Sequence, residues 1–224
     1  MSVSLFNWFV KITSWPVQFF CFRTKVSYED KSVQGRRVRG GAIIISNHTS
    51  VFDYAVYLFV FFGRTLRVQM AEVLFRKKGL GLFLRALGGI YVDRSAHDMS
   101  AVLKSRDIVE RGGVVGIFPE GRLPKPGEAR PLGFHEGAAY LALMTGAPVI
   151  PVYTNGSYFC KRRARVVIGK PMYAKDLSDG SLTEKEELEK ISEAFRQKVI
   201  SLGQLLPQDT ERKKQSVFDT LSVL

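Results

Sequence analysis

Four apolar residues, Ala42-Ile-Ile-Ile45, run unbroken into Ser46, and three of them are β-branched, so the stretch reads as a short buried strand. Five more short apolar runs follow, at 67–71, 89–93, 114–118, 149–153 and 165–168, with helical patterns between them at 53–62, 81–87, 99–111 and 134–145. This alternation predicts an α/β fold: a single domain with a mostly parallel central sheet flanked by helices. A chain of 224 residues, 46% hydrophobic and 24% charged, suffices for one such core. The clearest helix starts at Thr183 and runs to about Leu202. Thr183 and Glu186 form a capping box, Leu188, Ile191, Phe195 and Leu202 recur on one face, and acidic residues precede basic ones along the axis. The domain is expected to span 23–206, with 207–224 a polar, then weakly amphipathic tail.

Directly after the first strand comes Ser46-Asn-His-Thr-Ser-Val-Phe-Asp53, which puts one of the chain's three histidines at a strand exit and an aspartate five residues further on. On one continuous helix the two would sit about 140° apart around the axis, out of reach of each other. A strand-to-turn-to-helix junction removes that separation. His48 then falls just past the carboxyl end of the strand, where open α/β sheets bind ligands, and Asp53 in the first turn of the next helix. Such a pair suits a general base and the carboxylate that orients it. Asp53 has a structural reading as well, since Ser50-Val-Phe-Asp53 resembles a capping box and carboxylates favour helix amino termini. With two oxygens, it can serve both purposes. His48 taken alone reads as a satisfied buried histidine. His97 and His135 are each followed by an acidic neighbour, Asp98 and Glu136, which on a helix points away, so both read as structural.

Two later strand exits carry further charge: GGIYVDR at 88–94 and GIFPEGR at 116–122. Each ends in an arginine, Arg94 and Arg122, and two guanidinium forks converging at one sheet edge would hold a phosphate. Singly, each arginine reads equally well as an exposed ion-pair partner. Pro119 and Gly121 end their strand and let the backbone approach a ligand closely, while Glu120 could accept substrate hydroxyls, support a cation or serve only the turn. His48 with Asp53, then Arg94, then Glu120 with Arg122 all occupy the same kind of junction, and that coincidence favours one shared site.

The 33 Lys and Arg outnumber the 21 Asp and Glu by 12, which favours anionic partners. The basic residues lie in short groups at 36–37, 76–78, 161–163 and 212–214 with no nucleic-acid module around them, so nucleic acid is not expected as a partner. Cys21 and Cys160 have neither metal-ligand spacing nor the numbers for a disulfide framework, which fits a reducing compartment and a site without metal. The first 22 residues are strongly apolar, yet Lys11 and Pro16 interrupt them, and a bilayer span needs about 20 uninterrupted apolar residues. With Trp8 and Trp15 suited to a headgroup boundary, 1–22 reads as an interfacial membrane anchor, the alternative being a helix packed on the domain's own core.

In order and spacing, NHTSVFD, GGIYVDR, FPEGR and VIPVY resemble the four blocks of the glycerolipid acyltransferases, in particular the 1-acyl-sn-glycerol-3-phosphate (lysophosphatidate) acyltransferases. The blocks run from Asn47 to Tyr153, roughly half the chain. The resemblance implies an O-acyltransferase that moves a fatty acyl group from acyl-CoA or acyl-ACP to lysophosphatidate, making phosphatidic acid for phospholipid biosynthesis. It implies His48 as general base, Asp53 as its orienting partner, and Arg94, Glu120, Gly121 and Arg122 as residues that hold the glycerol phosphate acceptor. No cofactor is implied beyond the thioester co-substrate. Acyl carrier protein and an anionic membrane surface at the cytoplasmic face become expected partners, and the attachment would be peripheral. The third block departs from a common pattern: many members carry a threonine between the glycine and the arginine and a serine afterwards, whereas here Arg122 follows Gly121 directly and Leu123 comes next.

Overall fold

The computed structural model describes residues 2–93, 99–159, 163–178, 180 and 182–206. Its strands are β1 (Lys25–Tyr28), β2 (Ala42–Ser46), β3 (Leu66–Ala71), β4 (Ile90–Val92), β5 (Val114–Ile117), β6 (Val149–Thr154) and β7 (Arg165–Ile168). Among the described residues they form one seven-stranded sheet in the order β1-β7-β6-β2-β5-β3-β4. Strands β2 to β6 run parallel to one another. β7 lies antiparallel on β6 and carries β1 parallel beside it, so the mostly parallel sheet ends in a reversed two-strand edge. β1 was not expected from sequence, because its four residues Lys-Val-Ser-Tyr lack a sustained apolar run and are nowhere fully buried.

The helices are α1 (Val3–Thr13), α2 (Trp15–Val17), which continues into a π-helical turn over Gln18–Phe22, α3 (Asp53–Val60), α4 (Glu72–Arg76), α5 (Lys78–Leu87), α6 (Ser100–Glu110), α7 (Gly137–Thr145) and α8 (Glu184–Gln204). They explain why β2 is apolar without alternation. Ala42 and Ile44 enter a core shared with Val56, Tyr57 and Val60 of α3, while Ile43 and Ile45 enter the opposite core with Leu141 of α7 and Ile191, Phe195 and Val199 of α8. A strand buried on both faces has no polar side to show. The capping box of α8 forms as expected: Glu186 accepts the Thr183 backbone N–H at 3.0 Å and the Thr183 hydroxyl accepts from the Glu186 backbone. α7 begins at Gly137, later than periodicity suggests, and just ahead of it the His135 N–H donates to the Pro119 carbonyl at 2.9 Å.

The amino-terminal segment packs with its polar side inward. Asn7 and Lys11 are fully buried; the Lys11 ammonium donates to the carbonyls of Phe62 at 3.0 Å and Arg64 at 2.6 Å, and the Asn7 amide donates to Leu87 at 3.3 Å. Burial lowers the Lys11 ammonium to about 8. The apolar side faces outward, with Ile12 64% and Phe20 73% exposed. The segment thus docks on the domain while offering its hydrophobic face to the surroundings, and the lysine that interrupts the apolar stretch is one of the residues turned inward. Among the described residues no helix is long and apolar enough to cross a membrane.

Candidate active site

Register brings the site together. Ile45 of β2 pairs with Ile117 of β5 on one side and Pro151 of β6 on the other, so the segments leaving these three strands emerge side by side at the carboxyl edge of the sheet. From β2 come Asn47 and His48, from β5 come Phe118 and Glu120, and from β6 come Thr154 to Tyr158. Asn47 ties the first and third segments: its amide donates to the Thr154 carbonyl at 2.9 Å and its oxygen accepts the Thr154 N–H at 2.8 Å.

His48 Nδ1 lies 2.8 Å from Asp53 Oδ2. Asp53 sits in the first turn of α3, completely buried, and its carboxylate is saturated with donors. Oδ2 also accepts the backbone N–H groups of Thr49 at 2.7 Å and Ser50 at 3.0 Å; Oδ1 accepts the Thr49 hydroxyl at 2.9 Å and the Tyr158 hydroxyl at 2.6 Å. The two sequence readings of Asp53 therefore hold together: one side chain pins the loop that enters α3 and orients the imidazole. No capping box forms around Ser50, whose hydroxyl instead accepts the Phe52 N–H at 3.2 Å. With Nδ1 engaged as donor, the imidazole presents Nε2 as its free lone pair, and no partner occupies it among the described residues. The ring stacks on Phe118 at 4.4 Å between centroids, and the His48 side chain stays 21% exposed. It is held on two sides and open on one.

Glu120 is buried and faces the protein. One oxygen accepts the His48 backbone N–H at 2.7 Å and the other accepts the Leu132 N–H at 2.8 Å, so this carboxylate clamps the His48 loop to the segment preceding α7. Burial raises its pKa, partly offset by those two N–H donors. Gly121 follows in the left-handed region at φ 68°, and a Cβ there would come within 2.8 Å of the His135 ring, so the turn requires glycine twice over. Arg122 points its fork at Glu128, with contacts of 2.7 and 2.9 Å, and the Arg122 guanidinium holds the Glu128 carboxyl at about 2. The same Glu128 accepts the Lys125 N–H at 2.7 Å. Arg94 and His97 lie outside the described residues. The structure thus unites His48, Asp53 and Glu120 in one bonded unit, and engages the Arg122 fork within its own loop.

Tyr158 escaped the sequence reading. Its phenol is buried, donates to Asp53, and lies 2.9 Å from the Thr154 hydroxyl, which must be the donor of that pair because the phenol proton is already committed. Burial, then the Asp53 charge, raises the phenol well above its ordinary value, so it stays a donor. Phe22, at the end of the amino-terminal segment, packs edge-on against this ring at 5.6 Å. Among the described residues no group of three or more His, Cys, Asp and Glu side chains is placed to hold a metal ion.

The chain matches the family model described as Acyltransferase over residues 23–155. It is 28% identical over 173 residues to a 1-acyl-sn-glycerol-3-phosphate acyltransferase of Bacillus subtilis (strain 168), covering 75% of this chain and 84% of that protein. It is 29% identical over 155 residues to the human 1-acyl-sn-glycerol-3-phosphate acyltransferase beta, covering 67% of this chain and 54% of the human one. In three dimensions it is similar to the 1-acyl-sn-glycerophosphate (LPA) acyltransferase PlsC of Thermotoga maritima, with a TM-score of 0.59 and 22% identity over 92% of this chain and 81% of that one. The matched segment carries His48, Asp53 and Glu120 and covers more than half the sequence: the chain belongs to the acyltransferase family.

Proposed function

We propose that the protein transfers a fatty acyl group from an acyl thioester, acyl-CoA or acyl-ACP, to the free hydroxyl of 1-acyl-sn-glycerol-3-phosphate, making phosphatidic acid for phospholipid synthesis. The observation that carries this reading is the 2.8 Å contact between His48 Nδ1 and the buried Asp53 carboxylate, which leaves Nε2 available at an open strand edge. Nε2 takes the proton of the acceptor hydroxyl as its oxygen attacks the thioester carbonyl. Asp53 stabilises the imidazolium so formed. The tetrahedral intermediate then expels the thiolate, which recovers the proton from His48. The acceptor alcohol is itself the nucleophile, so no acyl-enzyme is required.

General-base catalysis of this kind is worth about 10²–10⁴-fold, and positioning of the acceptor must supply much of the rest. Arg94 and Arg122 are the guanidinium groups for the phosphate, Arg122 exchanging Glu128 for it; the Glu120–Gly121 turn fixes where that fork starts. The outward apolar face of α1 and α2 and the surplus of 12 positive charges support peripheral attachment to an anionic membrane at its cytoplasmic face, where a single-chain lipid substrate resides.

The test is purified protein with labelled lysophosphatidate and each donor in turn. Phosphatidic acid forms with at least one donor, and His48→Ala loses at least about 10²-fold in turnover with an unchanged thermal midpoint. Free fatty acid released while the acceptor stays unconsumed would reassign the base to hydrolysis, and wild-type turnover in His48→Ala would remove the base altogether.

A further inference from the structure

On the α3 side of the sheet, at the opposite end of α3 from His48, a cavity of about 820 Å³ opens between the amino-terminal segment and the loop leading into β2. Trp15, Arg36, Arg37, Arg39, Phe62 and Arg64 line it, and no acidic residue does. Two of the four guanidinium groups are fixed by the backbone. Arg36 donates to the carbonyls of Val60, at 2.8 Å, and Phe59; Arg64 donates to Val38 and Gly40, each at 2.9 Å. Arg37 and Arg39 flank the buried Val38, are exposed, and have no partner among the described residues.

The carbonyls at the end of α3 would ordinarily repel an anion. Here Arg36 and the Lys11 ammonium already occupy four of the carbonyls around that end, so the cavity keeps its positive field. Its rim is aromatic and continuous with the outward apolar face: Trp15 is 55% exposed, and Phe19 stacks on it at 5.6 Å. Cations backed by an indole, at the edge of a hydrophobic face, match the depth order of a bilayer, with phosphates above the boundary and acyl chains below.

We propose that this cavity takes the phosphate headgroup of an anionic phospholipid, with Arg37 and Arg39 as the phosphate contacts, while the apolar face of α1 and α2 lies among the acyl chains. This rests on the membrane attachment proposed above and adds to it a defined headgroup site remote from the dyad. The test is sedimentation of the full chain with vesicles of phosphatidylcholine alone and of phosphatidylcholine mixed with phosphatidylglycerol, at constant ionic strength. Wild-type protein binds the mixed vesicles more tightly. In R37Q/R39Q that gain falls about 30-fold, the expected cost of two cationic contacts at an anionic surface, while R37K/R39K keeps it within a few-fold. Binding to phosphatidylcholine alone reports the apolar face separately and is the same in all three proteins, so failure of the headgroup site and failure of the anchor read differently.

Three results would overturn the proposal. R37Q/R39Q keeps the full gain on phosphatidylglycerol. K175Q/K185Q, which removes two exposed lysines from the α8 side of the sheet, loses as much as R37Q/R39Q, so that bulk charge suffices. Inorganic phosphate displaces the protein from mixed vesicles at constant ionic strength, so that the cavity takes a free phosphate rather than a lipid.

Discussion

Replacing Tyr158 by phenylalanine removes one oxygen from a network whose purpose is to hold Asp53. The phenol donates a 2.6 Å hydrogen bond to a fully buried carboxylate, and such charge-assisted bonds are worth about 1.5–3 kcal/mol. Four other donors remain on Asp53, namely the backbone of Thr49 and Ser50, the Thr49 hydroxyl and His48 itself, so the loss in stability belongs at the low end of that range. The chemical effect has a sign that a merely structural role would not give. The phenol withdraws negative charge from Asp53; without it the carboxylate holds a protonated imidazole more strongly, and His48 becomes more basic. If about half of the lost bond, roughly 0.7 kcal/mol, reaches the imidazole, its protonated form is favoured about threefold. The acid limb of the pH profile of kcat/KM, where His48 must lose its proton to act, therefore moves to higher pH in Tyr158→Phe. On the acid side of the limb the variant is about threefold slower; on the alkaline plateau it approaches wild type. The acceptor KM stays the same. The assay is thioester consumption against pH at subsaturating lysophosphatidate. A uniform loss at all pH values with the limb unmoved, or a limb displaced to lower pH, would refute the claim that Tyr158 acts through the charge on Asp53.

Glu128→Gln frees the Arg122 fork from its bidentate partner, and if that fork serves the acceptor phosphate, the lysophosphatidate KM falls severalfold at constant kcat. An unchanged KM would separate Arg122 from the phosphate. Lys11 gives stability a pH dependence of known sign. Its folded pKa of about 8 lies below the ordinary lysine value of 10.5, so between these values the unfolded chain binds more protons and stability rises with pH, by at most about 3 kcal/mol; below pH 8 the full cost of burying the ammonium is present. Urea midpoints from pH 7 to 10.5 should rise in wild type relative to Lys11→Gln, and parallel curves would show that Lys11 carries no such cost.

The sheet was legible because burial on both faces removes alternation, and β2 shows that directly in Ala42-Ile-Ile-Ile45. The dyad was legible for a local reason: its members are five residues apart, and one strand-to-helix junction decides whether they meet. What stayed hidden crosses long separations. Tyr158 reaches Asp53 over 105 positions and Glu120 reaches the His48 backbone over 72, and sequence shows residue type without showing which donors a carboxylate will satisfy. From the residues alone Glu120 could accept substrate hydroxyls, support a cation or serve only the turn, and the family resemblance implied the acceptor role; in the structure each of its oxygens accepts a backbone N–H. The Glu128 partner of Arg122 lay six residues away in the same loop, and opposite charge at that distance was a signal available from sequence.

The two ends of α3 show why the dyad and the amino-terminal segment are not independent. A helix of eight residues is far too short to be stable by itself, and both ends leave backbone groups without helical partners. At the amino end, Asp53 accepts the N–H groups of Thr49 and Ser50 in the loop that enters the helix. At the far end Arg36 and Lys11 cover carbonyls from Phe59 to Arg64, cations where the helix dipole is negative. Lys11 belongs to α1, and Phe22, at the close of the same segment, packs on the Tyr158 ring that holds Asp53. Deleting residues 1–22 therefore removes two supports of the Asp53 carboxylate together with the apolar face, and a loss of activity after that deletion mixes lost membrane contact with a displaced dyad. Polar substitution of outward residues such as Ile12 and Phe20 leaves Lys11 and Phe22 in place, and it is the perturbation that reads membrane contact alone.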